Sequence, residues 1–170
     1  ALAKKLASQP LYGNAVLAEL GVPDHTEVVP DGTADLVLTF RNVHNWMKAG
    51  YVDDAFAAFF RSLKPGGVLG IVEHRAKPGT SLEKMIESGY VTEDHVVALA
   101  KKAGFVLEDR SEINANPADT ADHPRGVWTL PPGFALCRDV PPGPKQDECR
   151  APWMAIGESD RMTLRFRKPS

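Results

Sequence analysis

Two short runs of polar side chains each follow directly after an apolar stretch of the sequence. The first run is Arg41–Trp46 and the second is Glu73–Arg75. In open α/β sheets, ligands bind outside the carboxyl ends of the strands, so residues in these positions are candidates for a functional site. If the two strands are neighbours, amide, imidazole, carboxylate and guanidinium groups surround a single cleft. The side chains concerned are Asn42, His44, Glu73, His74 and Arg75.

Each of these residues also has a structural interpretation. Asn42 could satisfy backbone groups where its strand ends, and His44 could cap the following turn. Trp46 could be a lid on the hydrophobic core, which is the commoner role of such a residue. Arg75 and Glu73 could form a surface ion pair that contributes well under about 1 kcal/mol. The grouping of polar residues at two strand ends nevertheless favours a site.

The elements that would position these side chains alternate between strand and helix. Near-continuous apolar runs predict strands buried on both faces. The predicted strands are Asp35–Phe40, Val68–Val72, Phe105–Glu108 and Met162–Phe166, the last alternating like an antiparallel strand. An apolar stripe with a period of 3.6 residues predicts a helix from Val52 to the turn at Pro65. Thr92 is the predicted N-cap of a second long helix, and Gly104 the left-handed residue after its end. This order predicts an α/β fold with a mostly parallel sheet.

The segment 115–158 is predicted to be an insertion or loop within the domain. Eight of the 14 prolines fall between Pro117 and Pro152, which predicts that this stretch forms neither a regular helix nor a central strand. Both cysteines of the chain, Cys137 and Cys149, lie in it. Two interpretations stay open: a disulfide in an oxidising compartment, or two thiols in a cytosolic protein.

The composition argues against several classes of protein. The chain has 170 residues, 43% of them hydrophobic, which is enough for one compact domain, 1–170. A formal net charge of -2 argues against nucleic acid as a partner. No apolar run approaches the roughly 20 residues of a membrane span. The G-x-S-x-G elbow of hydrolases, the P-loop and the G-x-G-x-x-G dinucleotide fingerprint do not occur. No metal site is predicted, because the cysteines lie in a remote insertion, far from His44 and His74.

Three motifs, in order, resemble those of class I S-adenosylmethionine-dependent methyltransferases. Pro30–Val37, Phe40–Val43 and Leu63–Gly67 are similar to the fourth-strand, post-fourth-strand and pre-fifth-strand motifs of that family. Phe40–Val43 also resembles the quinone C-methyltransferases. A closer resemblance, which covers essentially the whole chain, is to a bacterial group of predicted methyltransferases of unknown substrate. It is carried by Asn42-x-His44, Glu73–Ala76, Asn114–Pro117 and Ser159–Met162.

The resemblance implies a Rossmann-like, three-layer α/β/α domain that holds strands three to seven of the family sheet. This sheet would be mostly parallel, with an antiparallel C-terminal strand. Residues 14–19 would form the third strand, and Glu19 would lie near the adenine of the cofactor. Asn42 and Val43 would contact the methionine end of S-adenosylmethionine.

The resemblance also implies the roles of the remaining polar residues. The expected catalytic residues are His44, Glu73 and His74, with His44 as a general base, and the expected substrate-binding residues are Trp46 and Arg75. The implied reaction is direct displacement at the sulfonium methyl of S-adenosylmethionine, with the protein aligning the reactants. The expected substrate is a small molecule.

Part of the family pattern does not occur in this sequence. The Gly-rich loop after strand one and the acidic residue after strand two, which contact the cofactor in the family, are missing. We therefore expect these 170 residues to be a fragment of a longer protein. The fragment by itself is not expected to bind the cofactor tightly. The alternatives are that another polypeptide supplies the missing part, or that the domain has lost cofactor binding. A homo-oligomer or a complementing chain segment is the expected protein partner, and no membrane partner is expected.

Three functions follow from these observations. The leading hypothesis is a methyltransferase, expected in the periplasm or outside the cell, with the cytoplasm as the alternative. The second is a non-catalytic binding or interaction module that keeps the fold without the cofactor site. A nicotinamide-dependent oxidoreductase is the weakest, because its fingerprint and its Tyr-x-x-x-Lys pair do not occur.

Overall fold

A four-stranded sheet organises the chain in a computed structural model that describes residues 2–8, 12–21 and 25–170. The strands are β1 (Ala34–Phe40), β2 (Leu63–His74), β3 (Val106–Ser111) and β4 (Arg161–Arg167). The helices are α1 (Leu2–Ala7), α2 (Val43–Ala49), α3 (Val52–Ser62), α4 (Leu82–Ser88), α5 (Glu93–Lys102) and α6 (Pro144–Ile156). No described helix is long and apolar enough to cross a membrane.

The strand order in the sheet is β1-β2-β4-β3. Strands β1 and β2 pair in parallel, whereas β4 pairs antiparallel with both β2 and β3. The antiparallel C-terminal strand is thus confirmed, and the mostly parallel sheet is confirmed only in part, because β1–β2 is the one parallel pair among the described strands. Since β1 and β2 are parallel neighbours, their carboxyl ends lie at the same edge of the sheet.

The local signals of the helices agree with the structure. The side chain of Thr92 accepts a hydrogen bond from the backbone N–H of His95 at the start of α5. Beyond the end of that helix, Gly104 has a φ of 106°, the left-handed region that glycine enters without strain. Asp53 and Asp54 lie in the first turn of α3, where the helix dipole favours acidic side chains.

The hydrophobic core lies on one face of the sheet. Leu69 and Ile71 of β2 are fully buried against the helices, in a cluster with residues of α2, α3, α4 and α5. On the opposite face, Leu36, Leu38 and Phe40 of β1 are 53%, 54% and 57% exposed. The prediction that β1 is buried on both faces is therefore wrong. An apolar run does not itself show what covers each face, and here no described helix covers these side chains, so the expected third layer is not seen.

The segment 14–19 does not form the predicted third strand. It lacks regular structure from Ala15 onwards, and its apolar residues Val16 and Leu17 are 90% and 57% exposed. So short an apolar run carries no decisive periodicity, and a strand requires a neighbour to accept its backbone hydrogen bonds.

The Pro-rich insertion contains a helix that its composition argues against. Helix α6 runs over 13 residues, with Pro144 in its first turn and Pro152 inside it. A proline in the first turn loses no hydrogen bond, because that backbone position has no helical acceptor. The prediction that no helix forms here is therefore wrong, and Pro152 removes one hydrogen bond from a helix with no buried residues.

A disulfide joins Cys137, in a short 3₁₀ turn, to Cys149 of α6. The two cysteines are 12 residues apart, and closing a loop of this length stabilises the folded chain by about 3 kcal/mol. We expect that the paired replacement Cys137→Ser with Cys149→Ser lowers the free energy of unfolding by about this amount. Urea unfolding of the oxidised protein and the variant measures it. An equal stability of the two proteins would contradict the expectation.

Candidate active site

Three of the predicted site residues meet at the carboxyl ends of β1 and β2. His44 lies in the first turn of α2, which begins three residues after β1 ends, and Glu73 and His74 are the last two residues of β2. Their exposed fractions are 6% for His44, 0% for Glu73 and 7% for His74. The parallel pairing of β1 with β2 brings these groups together, as the sequence predicts.

Hydrogen bonds from three sides hold the carboxylate of Glu73. The Nδ1 atom of His44 lies 3.0 Å from Glu73 Oε1. The backbone N–H groups of His44 and His74 donate to the same carboxylate at 3.3 and 2.8 Å. The His44 tautomer with its proton on Nδ1 donates to the carboxylate of Glu73 and has a lone pair on Nε2.

His74 is fixed from the other side of the site. A hydrogen bond of 2.5 Å joins its Nδ1 atom to the buried hydroxyl of Ser159, immediately before β4. Burial is the main reason that the pKa of His74 is lowered to about 3, and the positive charges of Arg41 and Arg161 act in the same direction. The ring is thus neutral near pH 7. The ring centroids of His44 and His74 are 5.3 Å apart.

A cavity of about 280 Å³ opens over the two histidines. Its walls are the end of β1 and a loop of the Pro-rich insertion. The lining residues are Phe40, Arg41, His44, His74, Val127, Trp128, Leu130, Pro131, Pro132 and Gly133. The ring of Trp128 approaches that of His44 at 6.0 Å, edge to face. Arg41 has a φ of 56°, in a region that residues other than glycine rarely adopt and that recurs at functional sites.

A buried carboxylate, Asp119, ties the insertion to the strand ends. It accepts hydrogen bonds from the hydroxyl of Tyr90 at 3.0 Å and the backbone N–H of Asp160 at 2.8 Å. Nε2 of His123 and the backbone N–H of Ala121 lie within 2.9 Å of its other oxygen. Burial raises the pKa of Tyr90, and the charge of Asp119 raises it further. Tyr90 is therefore a hydrogen-bond donor in a structural network.

Arg75 belongs to this anchoring network and does not line the cavity. Its guanidinium donates to both carboxylate oxygens of Asp160 at 2.9 Å and to both oxygens of Glu112 at 3.0 and 2.7 Å. These hydrogen bonds raise its pKa. The ion pair between Arg75 and Glu73 that the sequence left open does not form, because the carboxylate of Glu73 points at His44 and at the backbone N–H of His74.

The other predicted site residues are not brought into the cavity. Trp46 is 9% exposed and packs against Phe59 in the core, with ring centroids 5.3 Å apart. Val43 is fully buried in the same core. Asn42 is exposed at the start of α2 and accepts a hydrogen bond from Asn45. Glu19 is exposed in a segment without regular structure.

Sequence reasoning missed two residues that shape the site, Trp128 and Ser159. Trp128 stands in the Pro-rich insertion, where an aromatic residue among turn residues is a signal for a wall or lid. Ser159 lies in the motif Ser159–Met162 that supports the family resemblance, and its place directly before a strand could have indicated it. Neither lies near His44 in the sequence.

Three of the site residues could hold a metal ion, and the residues expected to contact S-adenosylmethionine lie elsewhere. One ligating atom from each of His44, Glu73 and His74 lies within 4.8 Å of the other two. Of the three residues expected to hold the cofactor, Val43 is buried, Glu19 lies in an irregular exposed segment, and only Asn42 is exposed at the carboxyl edge of the sheet. None of these three residues lines the cavity over His44.

Comparison with solved structures identifies the fold. The chain is 17% identical to a protein from Galdieria sulphuraria assigned as a sarcosine dimethylglycine methyltransferase, with 98% of this chain and 64% of that chain covered and a TM-score of 0.59. It is 20% identical to the cyclase SpnF, with 83% and 52% covered and a TM-score of 0.50. A 1,6-didemethyltoxoflavin N1-methyltransferase from Burkholderia thailandensis, solved with S-adenosylhomocysteine, is 13% identical, with 85% and 48% covered and a TM-score of 0.46.

The chain therefore has the Rossmann-like α/β fold of the class I S-adenosylmethionine-dependent methyltransferases. It spans about half to two thirds of the length of these solved structures. No protein-family model matches the sequence, and no curated protein matches it.

Proposed function

We propose that this chain forms the acceptor side of a methyltransferase that transfers a methyl group from S-adenosylmethionine to a small molecule. The observation that carries the proposal is the imidazole of His44, which lines a cavity at the carboxyl edge of a methyltransferase-like sheet and is hydrogen-bonded to the buried carboxylate of Glu73. A buried carboxylate behind an imidazole is an arrangement that serves general-base catalysis.

In this proposal His44 removes a proton from the acceptor. Its Nδ1–H donates to Glu73, which fixes the orientation of the ring and leaves Nε2 to receive the proton. The positive charge that then forms on the imidazole lies next to the carboxylate of Glu73, which stabilises it. Neutral His74 supplies a second ring at the cavity, and Trp128 gives a flat apolar wall for the acceptor.

S-adenosylmethionine supplies an electrophilic methyl group when it is bound. In this proposal the groups that hold the cofactor come largely from residues outside this chain, because the Gly-rich loop and the acidic residue of the family pattern do not occur in it. What this chain contributes is the acceptor cavity, the base and the insertion that covers them. The disulfide of the insertion supports an exported protein, since such bonds persist in oxidising compartments.

Isothermal titration calorimetry with S-adenosylmethionine tests whether residues outside this chain are needed to bind the cofactor. We expect no micromolar binding to the 170-residue chain, and micromolar binding to the longest gene product that contains it. Micromolar binding to the chain alone would contradict the proposal that residues outside this chain hold the cofactor. If the longer protein also fails to bind, the methyltransferase proposal itself fails.

The absence of the family's Gly-rich loop from this sequence favours a second candidate, a non-catalytic binding module. One structural neighbour is a cyclase, and a fold does not define a reaction. Transfer of a labelled methyl group by the longer protein to any member of a small-molecule panel distinguishes the candidates. The module binds a ligand in the cavity without transferring the label.

A further inference from the structure

We propose that His44 and His74 bind a divalent transition metal ion, most simply Zn²⁺, at the base of the cavity. Imidazole nitrogen is a common ligand for such ions, and each histidine can offer one Nε2 atom. Nε2 of His44 cannot bind a metal ion and accept a proton at the same time, so the metal-bound form is a different state from the one that would transfer a methyl group. Metal binding is therefore measured without cofactor or acceptor.

The hydrogen bonds behind the two rings are those that prepare histidines for a metal. In metal sites the second ring nitrogen of a ligating histidine is bonded to a carboxylate, a carbonyl or another polar group, which fixes the tautomer and the orientation of the ring. Here Glu73 holds Nδ1 of His44 at 3.0 Å, and Ser159 holds Nδ1 of His74 at 2.5 Å. Both supporting groups are buried, at 0% and 4% exposure.

The opposite nitrogens are not used by the part of the chain that the structure describes. Among these residues, no group forms a hydrogen bond with Nε2 of His44 or of His74. Both rings line the same cavity, with centroids 5.3 Å apart. One ligating atom of each histidine lies within 4.8 Å of one of the other, and a zinc ion lies about 2.0 to 2.1 Å from each histidine nitrogen that binds it.

The charges around the two histidines indicate which further ligands would bind the metal ion. Glu73 contributes a buried negative charge behind His44, whereas Arg41 on the cavity wall and Arg161 nearby contribute positive charge. Two histidines leave at least two coordination positions open for a tetrahedral ion. Water and an anionic oxygen of a ligand in the cavity suit these positions, since Arg41 would stabilise that anion.

Zinc titration of the full chain tests the proposal. The protein carries no histidine tag and is first stripped with a chelator, and calorimetry then measures Zn²⁺ binding. We expect one equivalent to bind, Glu73→Gln to weaken binding by about 10- to 100-fold, and His44→Gln and His74→Gln each to abolish it. The matched control replaces two other histidines, His25→Ala with His95→Ala, and is expected to bind like the parent chain.

Absence of one-equivalent binding to the parent chain would overturn the proposal, as would His74→Gln binding with the parent affinity. His74→Gln is the deciding variant, because glutamine can keep a hydrogen bond to Ser159, and circular dichroism checks that it folds. Visible absorption of the Co²⁺ form gives an independent readout, and loss of that absorption in His74→Gln is expected. A longer protein that binds S-adenosylmethionine but no metal would keep the proposed function and remove this inference.

Discussion

Replacing His44 with glutamine is expected to slow methyl transfer by about 10²- to 10⁴-fold near pH 7, the usual contribution of a general base. Glutamine keeps an amide that can donate to Glu73, but it has no nitrogen that accepts a proton. The measurement is the rate of label transfer from S-adenosylmethionine in the longest gene product that contains this chain. Because the acceptor cavity keeps its walls, we expect the loss in kcat rather than in KM.

The matched control for this prediction is His95→Gln. His95 lies in α5, outside the cavity over His44, so its replacement leaves the rate unchanged. Raising the pH should also recover part of the activity of His44→Gln, since a more basic solvent removes the acceptor's proton without help. A His44→Gln enzyme with the parent rate at pH 7 would show that His44 is not the base.

Replacing Asp119 with alanine is expected to lower the free energy of unfolding by about 3 to 5 kcal/mol, as when one partner of a buried polar pair is removed. The carboxylate is fully buried, and its loss leaves the hydroxyl of Tyr90 and two backbone N–H groups without an acceptor. Urea unfolding measures the change. The neighbouring Asp122→Ala is the control, because Asp122 is exposed, and it should change the stability by less than about 0.5 kcal/mol.

A proteolysis experiment would show whether the hydrogen bonds of Asp119 stabilise the insertion more than they stabilise the sheet. Asp119 joins the insertion to Tyr90 and to Asp160, so its loss should expose the insertion to proteolysis before the sheet unfolds. If the two aspartate variants have equal stability, the insertion is held by its other contacts, such as the hydrogen bond from the backbone N–H of Asn116 to Asp160.

The sequence predicts the scaffold of the site well because its signals are local. The apolar stripe from Val52, the cap at Thr92 and the glycine at Gly104 each act within one or two turns of chain. The meeting of His44 with Glu73 could also be predicted, because consecutive strands of an α/β fold are often neighbours and their polar ends then share an edge.

The remaining features depend on contacts between distant parts of the chain. Ser159 reaches His74 across 85 residues, and Trp128 closes the cavity only because the insertion folds back over the strand ends. No spacing rule connects such positions. The uncovered face of β1 and the irregular segment 14–19 were mispredicted for a related reason: a pattern of residue types shows which side chains are apolar, not what packs against them.

Only one face of the sheet is buried by the described residues. Residues on that face are therefore more restricted in size and shape than residues on the other face. Along β2, Leu69 and Ile71 must fill a closed volume, whereas Val68 and Val72 on the other face are half-buried and meet looser limits. The same division applies on β1, where Leu36 and Leu38 have room to vary within this chain. If related sequences also have apolar residues at these two positions, the side chains there contact something beyond the described residues. The two faces of these strands therefore tolerate substitution to different degrees.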